Sequence, residues 1–328
     1  MSNTFNKYFS DVGASSKEGL AIQNGFMQGN KLPQSFFITP TDEGEVIQAI
    51  NSVKSGNSSG FDDVSSKLLK ESANALAYPL AHVTNSSFLK RRFPSSLKLA
   101  IVKPLHKKGS AEDCGNYRPI SILSSFSKVI EKLVLKRLLS YLELNGILFS
   151  GQFGFRRNSS TLGAMYHLLS SVTSALDNKC HSFALFMDLS KAFDMVNHTL
   201  LLNKLANIGV RGTALSWFST FVNNRRQIVE VPNVDADGCM GAYRSAEVLL
   251  QAGVPQGSVL GPLLFLIYIN DIQYAANCPA LCLFADDTSF SLSNPSLENL
   301  EVDIFLQGSS LLQWLCQNRL SVNADKIK

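Results

Sequence analysis

The stretch Leu281-Cys-Leu-Phe-Ala-Asp-Asp-Thr-Ser-Phe-Ser-Leu292 decides how the rest of this chain is read. Apolar and β-favouring residues flank Asp286 and Asp287 on both sides, which predicts strand, two-residue acidic turn, strand. Taken alone, an Asp-Asp pair is a turn or a helix cap, because Asp tolerates tight turns and accepts backbone N–H bonds there. Its surroundings in the sequence say more. Ser182 to Leu189 is an almost wholly apolar run that suits a buried central strand, and Asp188 is its only charge. A buried carboxylate is costly unless it is protonated, binds a cation or is paired, with Lys191 as the nearest partner. Three carboxylates converging at the end of a sheet would make a seat for two divalent cations, an arrangement that moves nucleotidyl groups.

Between these acidic elements lies Ala252-Gly-Val-Pro-Gln-Gly-Ser-Val-Leu-Gly-Pro, followed by an apolar helical stretch at Leu263 to Ile272. Its glycines permit close backbone approach, Gln256 offers a donor and an acceptor, and a loop opening a helix is a seat for phosphate. Phe193 follows Asp188 by one turn; its ring is either an ordinary core Phe or a wall under the nucleotide sugar that excludes a 2′-hydroxyl.

These residues resemble the reverse transcriptases of non-long-terminal-repeat (LINE-like) retrotransposons. Phe186-Met-Asp-Leu-Ser-Lys-Ala-Phe-Asp is similar to motif A, Gly253-Val-Pro-Gln-Gly-Ser-Val-Leu-Gly-Pro to motif B and Phe284-Ala-Asp-Asp to motif C. Tyr117-Arg-Pro-Ile-Ser-Ile-Leu and Gly151-Gln-Phe-Gly-Phe-Arg-Arg-Asn-Ser-Ser-Thr resemble the two fingers motifs, and Leu320-Ser-Val-Asn-Ala-Asp-Lys-Ile-Lys the motif D region. The resemblance implies an α+β right-hand polymerase fold, with an antiparallel palm sheet and helices. A lead-in at 1–95 would precede a polymerase domain at 96–328, with fingers at about 96–182 and palm at about 183–328.

It implies RNA-directed DNA polymerase activity in retrotransposition: two Mg2+ ions, with Mn2+ able to substitute, held by Asp188, Asp286 and Asp287, and a primer 3′-hydroxyl attacking a dNTP. The partners implied are an RNA template, a DNA primer, the RNA–DNA heteroduplex they form, and dNTP. Phe193 matches the steric gate, and Gln256 with Gly257 the loop under nucleotide and template. Lys107, or Lys108 in its place, with Arg118 and Arg156 are the cations assigned to the triphosphate; a solvated charged loop is the alternative for such lysines. The family has a lysine near motif D that can protonate pyrophosphate; Lys326 falls in that region. Family members continue into a primer grip and thumb, so the expectation is a fragment with thumb absent or truncated, weakly active or inactive by itself. A catalytically inactive, domesticated nucleic-acid-binding remnant and a viral RNA-dependent RNA polymerase are the competing readings; a bulky Phe193 speaks against the latter.

Composition agrees. The 328 residues, 45% hydrophobic and 17% charged, can bury a sizeable core. A net charge of only +4 leaves nucleic-acid contact to local patches such as Lys90, Arg91, Arg92 and Lys103 to Lys108. Six cysteines without C-x-x-C spacing indicate neither a zinc site nor a disulfide framework, which makes reduced thiols in a cytoplasmic ribonucleoprotein or nucleus the default. The apolar run at Leu263 to Ile269 falls far short of the about 20 residues a membrane span needs, so no membrane is expected. Residues 1 to about 40 show little periodicity and read as a loose lead-in. Helices are expected at Thr41 to Val53, Val64 to Leu76, Pro79 to Lys90 and along the apolar stripe from Val129 to Leu142. Others are expected at Asn197 to Asn207 and Ala214 to Asn223, with strands at Gln227 to Val231 and Ser245 to Leu250.

Overall fold

A computed structural model of the chain describes residues 1–14, 33–234, 240–275 and 280–328. It begins with helix α1 (Ser2–Ala14), where a loose lead-in was expected. Phe5 and Phe9, one helical turn apart, are buried with Val102 and Val229, and Tyr8 packs against them. With Val12 these residues follow helical spacing, a stripe present in the sequence but set among Ser, Asn, Gly and Lys. Helix α2 (Glu43–Ser52) is capped by Asp42, whose side chain accepts from the Glu45 amide, rather than by Thr41. Next come α3 (Ser66–Glu71) and α4 (Ala73–Leu89). Pro79 lies inside α4, so the expected break there moves forward to Ser72. Val46, Ile50, Leu69 and Leu80 of these helices bury against Val129 and Leu133, which ties the N-terminal segment into the body of the protein.

A hairpin follows, β1 (Leu99–His106) and β2 (Tyr117–Ile122), pairing Leu105 with Arg118. Helix α5 (Ser125–Leu144) carries the expected stripe and ends at Asn145, with Gly146 at φ 57°. After α6 (Thr161–Asp177) comes β3 (His181–Met187), then α7 (His198–Asn207) and α8 (Gly212–Val222), whose Trp217 and Phe218 are fully buried. Strands β4 (Arg226–Val234), β5 (Met240–Arg244) and β6 (Val248–Leu249) follow; the turn expected between the first two lies outside the described residues. Helix α9 (Gly261–Ile269) precedes β7 (Ala280–Phe284), β8 (Asp287–Asn294) and α10 (Leu297–Gln317).

The strands form two sheets. One is mixed, in the order β2-β1-β4-β5, with β1 and β4 parallel and β6 paired to β4. The other is antiparallel, β3-β8-β7. Helix α9 is apolar all round and buried at Gly261 and from Leu263 to Ile269, so it runs through the core rather than along its surface. Each such Leu, Ile or Phe contributes about 1.5–3 kcal/mol by leaving water. The main core gathers α5, α7, α8, α9 and the Trp314 end of α10 around the inner face of the antiparallel sheet. Among the described residues, no helix is long and apolar enough to cross a membrane.

Strand β3 corrects the expectation of a wholly buried strand. Phe183, Leu185 and Met187 face the core, while Phe186 on the other face is 43% exposed. It is nonetheless flanked on both sides. Strand β8 pairs with one edge, and residues 321–328 lie along the other: the Ser190 amide donates to the Ser321 carbonyl (2.8 Å) and the Phe186 amide to the Lys328 carbonyl (2.8 Å).

Candidate active site

The β7–β8 hairpin closes through Ala285 and Asp286, with Phe284 paired to Asp287. The turn is therefore Ala-Asp, and Asp287 already belongs to β8. Ala285 sits at φ 58°, a region side chains seldom adopt. The segment Gly151–Gly154 holds it there. The Leu283 amide donates to the Gly151 carbonyl (2.8 Å), the Phe153 amide donates back to the Leu283 carbonyl (2.8 Å), and buried Gln152 takes the tip. Its Oε1 accepts from the amides of Ala285 (2.9 Å) and Gly154 (2.8 Å), and its Nε2 donates to the Ala285 carbonyl (3.3 Å). A Cβ at Gly154 would lie 2.2 Å from the Ala285 nitrogen, so only glycine permits this approach. Gln152 stands within the Gly151–Thr161 stretch quoted from the sequence, but nothing there marks it as the clamp.

Met187 pairs with Thr288, which places Asp188, leaving β3, beside Asp287, entering β8. Asp286 is half-buried at the tip. Desolvation raises the Asp286 pKa and the charges of Asp287 and Asp188 add to this, opposed by a backbone hydrogen bond and, less, by Lys107. Desolvation and Asp188 likewise raise that of Asp287, opposed by Lys326. Asp188 pairs with Lys326 Nζ (2.7 Å), not with Lys191, whose ammonium instead meets the hydroxyl and ring of Tyr8 from α1. With Asp188 drawn to Lys326, no three His, Cys, Asp or Glu side chains among the described residues gather closely enough to hold a metal ion. The donor set itself still fits a hard divalent cation. It offers oxygen alone, and neither Asp286 nor Asp287 forms a salt bridge among the described residues. Their negative charge, disfavoured by desolvation and mutual repulsion, is what such a cation would relieve.

Lys107 leaves β1 toward this cluster. Partial desolvation lowers its pKa, as do Arg118 and Lys326, while Asp188 and Asp286 oppose that shift. Lys108 lines a cavity of about 610 Å³ with Asp188, Asp287 and Lys326. Arg156 is differently placed: its Nη1 donates to the Phe149 carbonyl (2.8 Å), so part of its guanidinium braces the segment leading into the Gln152 clamp. Lys90, Arg91 and Arg92 line a separate cleft with Leu202, Leu215 and Thr220.

Phe193 stacks on Phe265 of α9 (4.7 Å between ring centres) and meets Phe155 edge-on (6.2 Å). The Gln256 loop is sewn to its surroundings: the Val254 amide donates to the Phe193 carbonyl (2.9 Å) and the Ser121 amide to the Gln256 carbonyl (2.9 Å). Gly257, at φ 142°, lies against β2, where a Cβ would come within 2.2 Å of the Ser121 oxygen. The N-terminus of α9 is not a seat for phosphate, as its sequence suggested. Fully buried Glu131 of α5 occupies it, accepting from Ser258 Oγ (2.6 Å) and the amides of Val259 (2.7 Å) and Leu260 (3.1 Å). A carboxylate there satisfies the open N–H groups and complements the helix dipole. Asp194, beside Phe193, accepts twice from Gln256 Nε2 (3.0 and 2.9 Å), and burial pushes its pKa up to about 6. Glu131 and Asp194 were not singled out in the sequence, where each is one acidic residue among many.

Comparison with known proteins places the chain in a family. The chain is similar to a probable RNA-directed DNA polymerase from transposon BS of Drosophila melanogaster, 32% identical over 90% of this chain and 32% of the relative. It is similar to one from transposon X-element of the same fly, 33% identical over 76% of this chain and 27% of the relative. The RNA-directed DNA polymerase of its mobile element jockey is 30% identical over 75% of this chain and 27% of the relative. The chain thus spans a third or less of the length of these relatives. Residues 105–328, which include Asp188, Asp286, Asp287 and the Gln256 loop, match the model for reverse transcriptase (RNA-dependent DNA polymerase), and the chain belongs to that family.

Proposed function

We propose that this chain is an RNA-directed DNA polymerase of a non-long-terminal-repeat retrotransposon. It would transfer a deoxynucleotide from dNTP to a DNA primer 3′-hydroxyl on an RNA template, releasing pyrophosphate. In this reading the mixed sheet with α5 and α6 forms the fingers, and the antiparallel sheet with its helices forms the palm. One observation carries it: Asp188 lies beside a clamped hairpin presenting Asp286 and Asp287, and Lys107, just past the end of β1, is near enough to feel the charges of Asp188 and Asp286.

Two Mg2+ ions on Asp188, Asp286 and Asp287, or Mn2+ in their place, would supply Lewis-acid activation of the hydroxyl and neutralise triphosphate charge. Lys107 and Arg118 bind the triphosphate, their positive charges meeting its oxygens from β1 and β2. Arg156 braces the hairpin clamp through its carbonyl contact and keeps its remaining donors for phosphate. Phe193, immobilised by Phe265, walls the sugar against a 2′-hydroxyl. Gln256 and Gly257 lie under nucleotide and template. Lys326 holds Asp188 and must release it for the carboxylates to close together.

Single-nucleotide incorporation on an RNA template tests this without requiring processive synthesis. Incorporation of dNTP in preference to rNTP, abolished by Asp286→Ala and by chelation of divalent ions, is expected. No incorporation, or a preference for rNTP, overturns it.

A further inference from the structure

Gln256 is the residue that the polymerase reading sets beneath the nucleotide, and its side chain already has a partner. Nε2 donates to both oxygens of Asp194, at 3.0 and 2.9 Å. An ionised carboxylate only accepts hydrogen bonds, whereas an amide presents a donor at one end and an acceptor at the other. Asp194 therefore decides which end of Gln256 faces inward: the NH2 group turns to the carboxylate and Oε1 turns away from it.

The backbone holds the two residues in register. Phe193, one position before Asp194, accepts from the Val254 amide, and Val196, two positions after it, accepts from the Gly253 amide (2.8 Å). A Cβ at Gly253 would lie 2.9 Å from the Asp194 carbonyl oxygen, so the loop cannot shift along this turn. From the far side, Phe9 and Ser10 of α1 line the same small cavity as Asp194 and Gln256. The charges of Lys191 and Lys107 favour the ionised form of Asp194 against its burial.

We propose that Asp194 is a positioning residue that fixes the Gln256 amide with Oε1 as a hydrogen-bond acceptor toward a donor group of the incoming nucleotide. The inference rests on the polymerase reading. Asp194 touches no reacting atom and acts through Gln256. An asparagine in its place would offer either a donor or an acceptor, so Gln256 would flip freely and lose its preferred orientation.

Equilibrium binding of dNTP to the full chain, loaded with RNA template and a dideoxy-terminated primer, tests this without any chemical step. Asp194→Asn is close to isosteric and removes a buried charge, so the variant keeps its fold, which its melting temperature checks. We expect about 5- to 20-fold weaker dNTP binding by D194N, unchanged template–primer binding, and a D194N/Q256A double variant that binds no more weakly than Q256A. Binding by D194N within twofold of wild type, or a double variant weaker than Q256A by the full D194N factor, overturns the inference alone. No dNTP binding by the wild-type chain overturns the polymerase reading and this inference with it.

Discussion

Two loops carry the candidate chemistry, and they are restrained by opposite means. The β7–β8 hairpin, with Asp286 and Asp287, is clamped by a neutral amide, Gln152, and by backbone hydrogen bonds from residues 151–154. The Gln256 loop is held by two acids, Glu131 on the α9 side and Asp194 on the β3 side. Charge explains the difference. The hairpin presents two carboxylates whose ionisation is made costlier by desolvation and by the charge of neighbouring Asp188, and a charged clamp there would add to the repulsion. The Gln256 loop leads into the N-terminus of α9, where the Val259 and Leu260 amides and the positive end of the helix dipole make a carboxylate the favourable partner.

The largest effect should come from Glu131→Ala. It strands the Ser258 hydroxyl and the Val259 and Leu260 amides in the core, and should cost about 3–5 kcal/mol in urea denaturation. Glu131→Gln, which keeps one acceptor, should lose about half of that. Next is Gln152→Ala, which leaves the Ala285 and Gly154 amides without acceptors and should cost about 2–3 kcal/mol. If the comparison holds, Gln152→Glu keeps the acceptors yet further raises the pKa of Asp286, readable by carboxyl NMR titration; an unmoved Asp286 would break it.

Asp194 gives a pH signature. Its folded pKa of about 6 lies above the ordinary value of 3.8, so the protonated form is favoured by folding. This contribution to stability is complete below pH 3.8 and is lost as pH rises through about 6. Asp194→Asn should therefore melt above wild type at pH 7, by on the order of 2–3 kcal/mol, with the gap closing toward pH 4. The smallest effect is expected at the hairpin turn: Ala285→Gly relieves a positive φ and should stabilise by about 0.5–1 kcal/mol, measured as a small rise in melting temperature.

Much of this was legible in the chain. The apolar flanks of Asp286 and Asp287 predicted the hairpin, and the stripe from Val129 to Leu142 predicted α5, because both signals are local and repeat at the period of their element. The stripe of Phe5, Tyr8, Phe9 and Val12 in α1 is just as local, but the Ser, Asn, Gly and Lys that dominate the first 40 residues mask it. Of the alternatives open for Asp188, pairing with Lys191 is not the one seen: nearness in sequence says little where the turn after β3 directs Lys191 to Tyr8 and Asp188 meets Lys326.

By itself, the sequence determined the family, through the order of its motifs, and named the candidates for its chemistry: three aspartates, an aromatic after the first of them and a glycine-rich loop. Residue types and short-range spacing suffice for that, since acidity, bulk and turn preference belong to the residues themselves. Tertiary structure alone decided what holds these groups in place. Gln152 on the hairpin, Glu131 at the α9 N-terminus, Asp194 on Gln256 and Lys326 on Asp188 are contacts between residues 62 to 138 positions apart. No local pattern records them, because each partner is an ordinary polar residue until the fold removes its water and leaves one group to satisfy it.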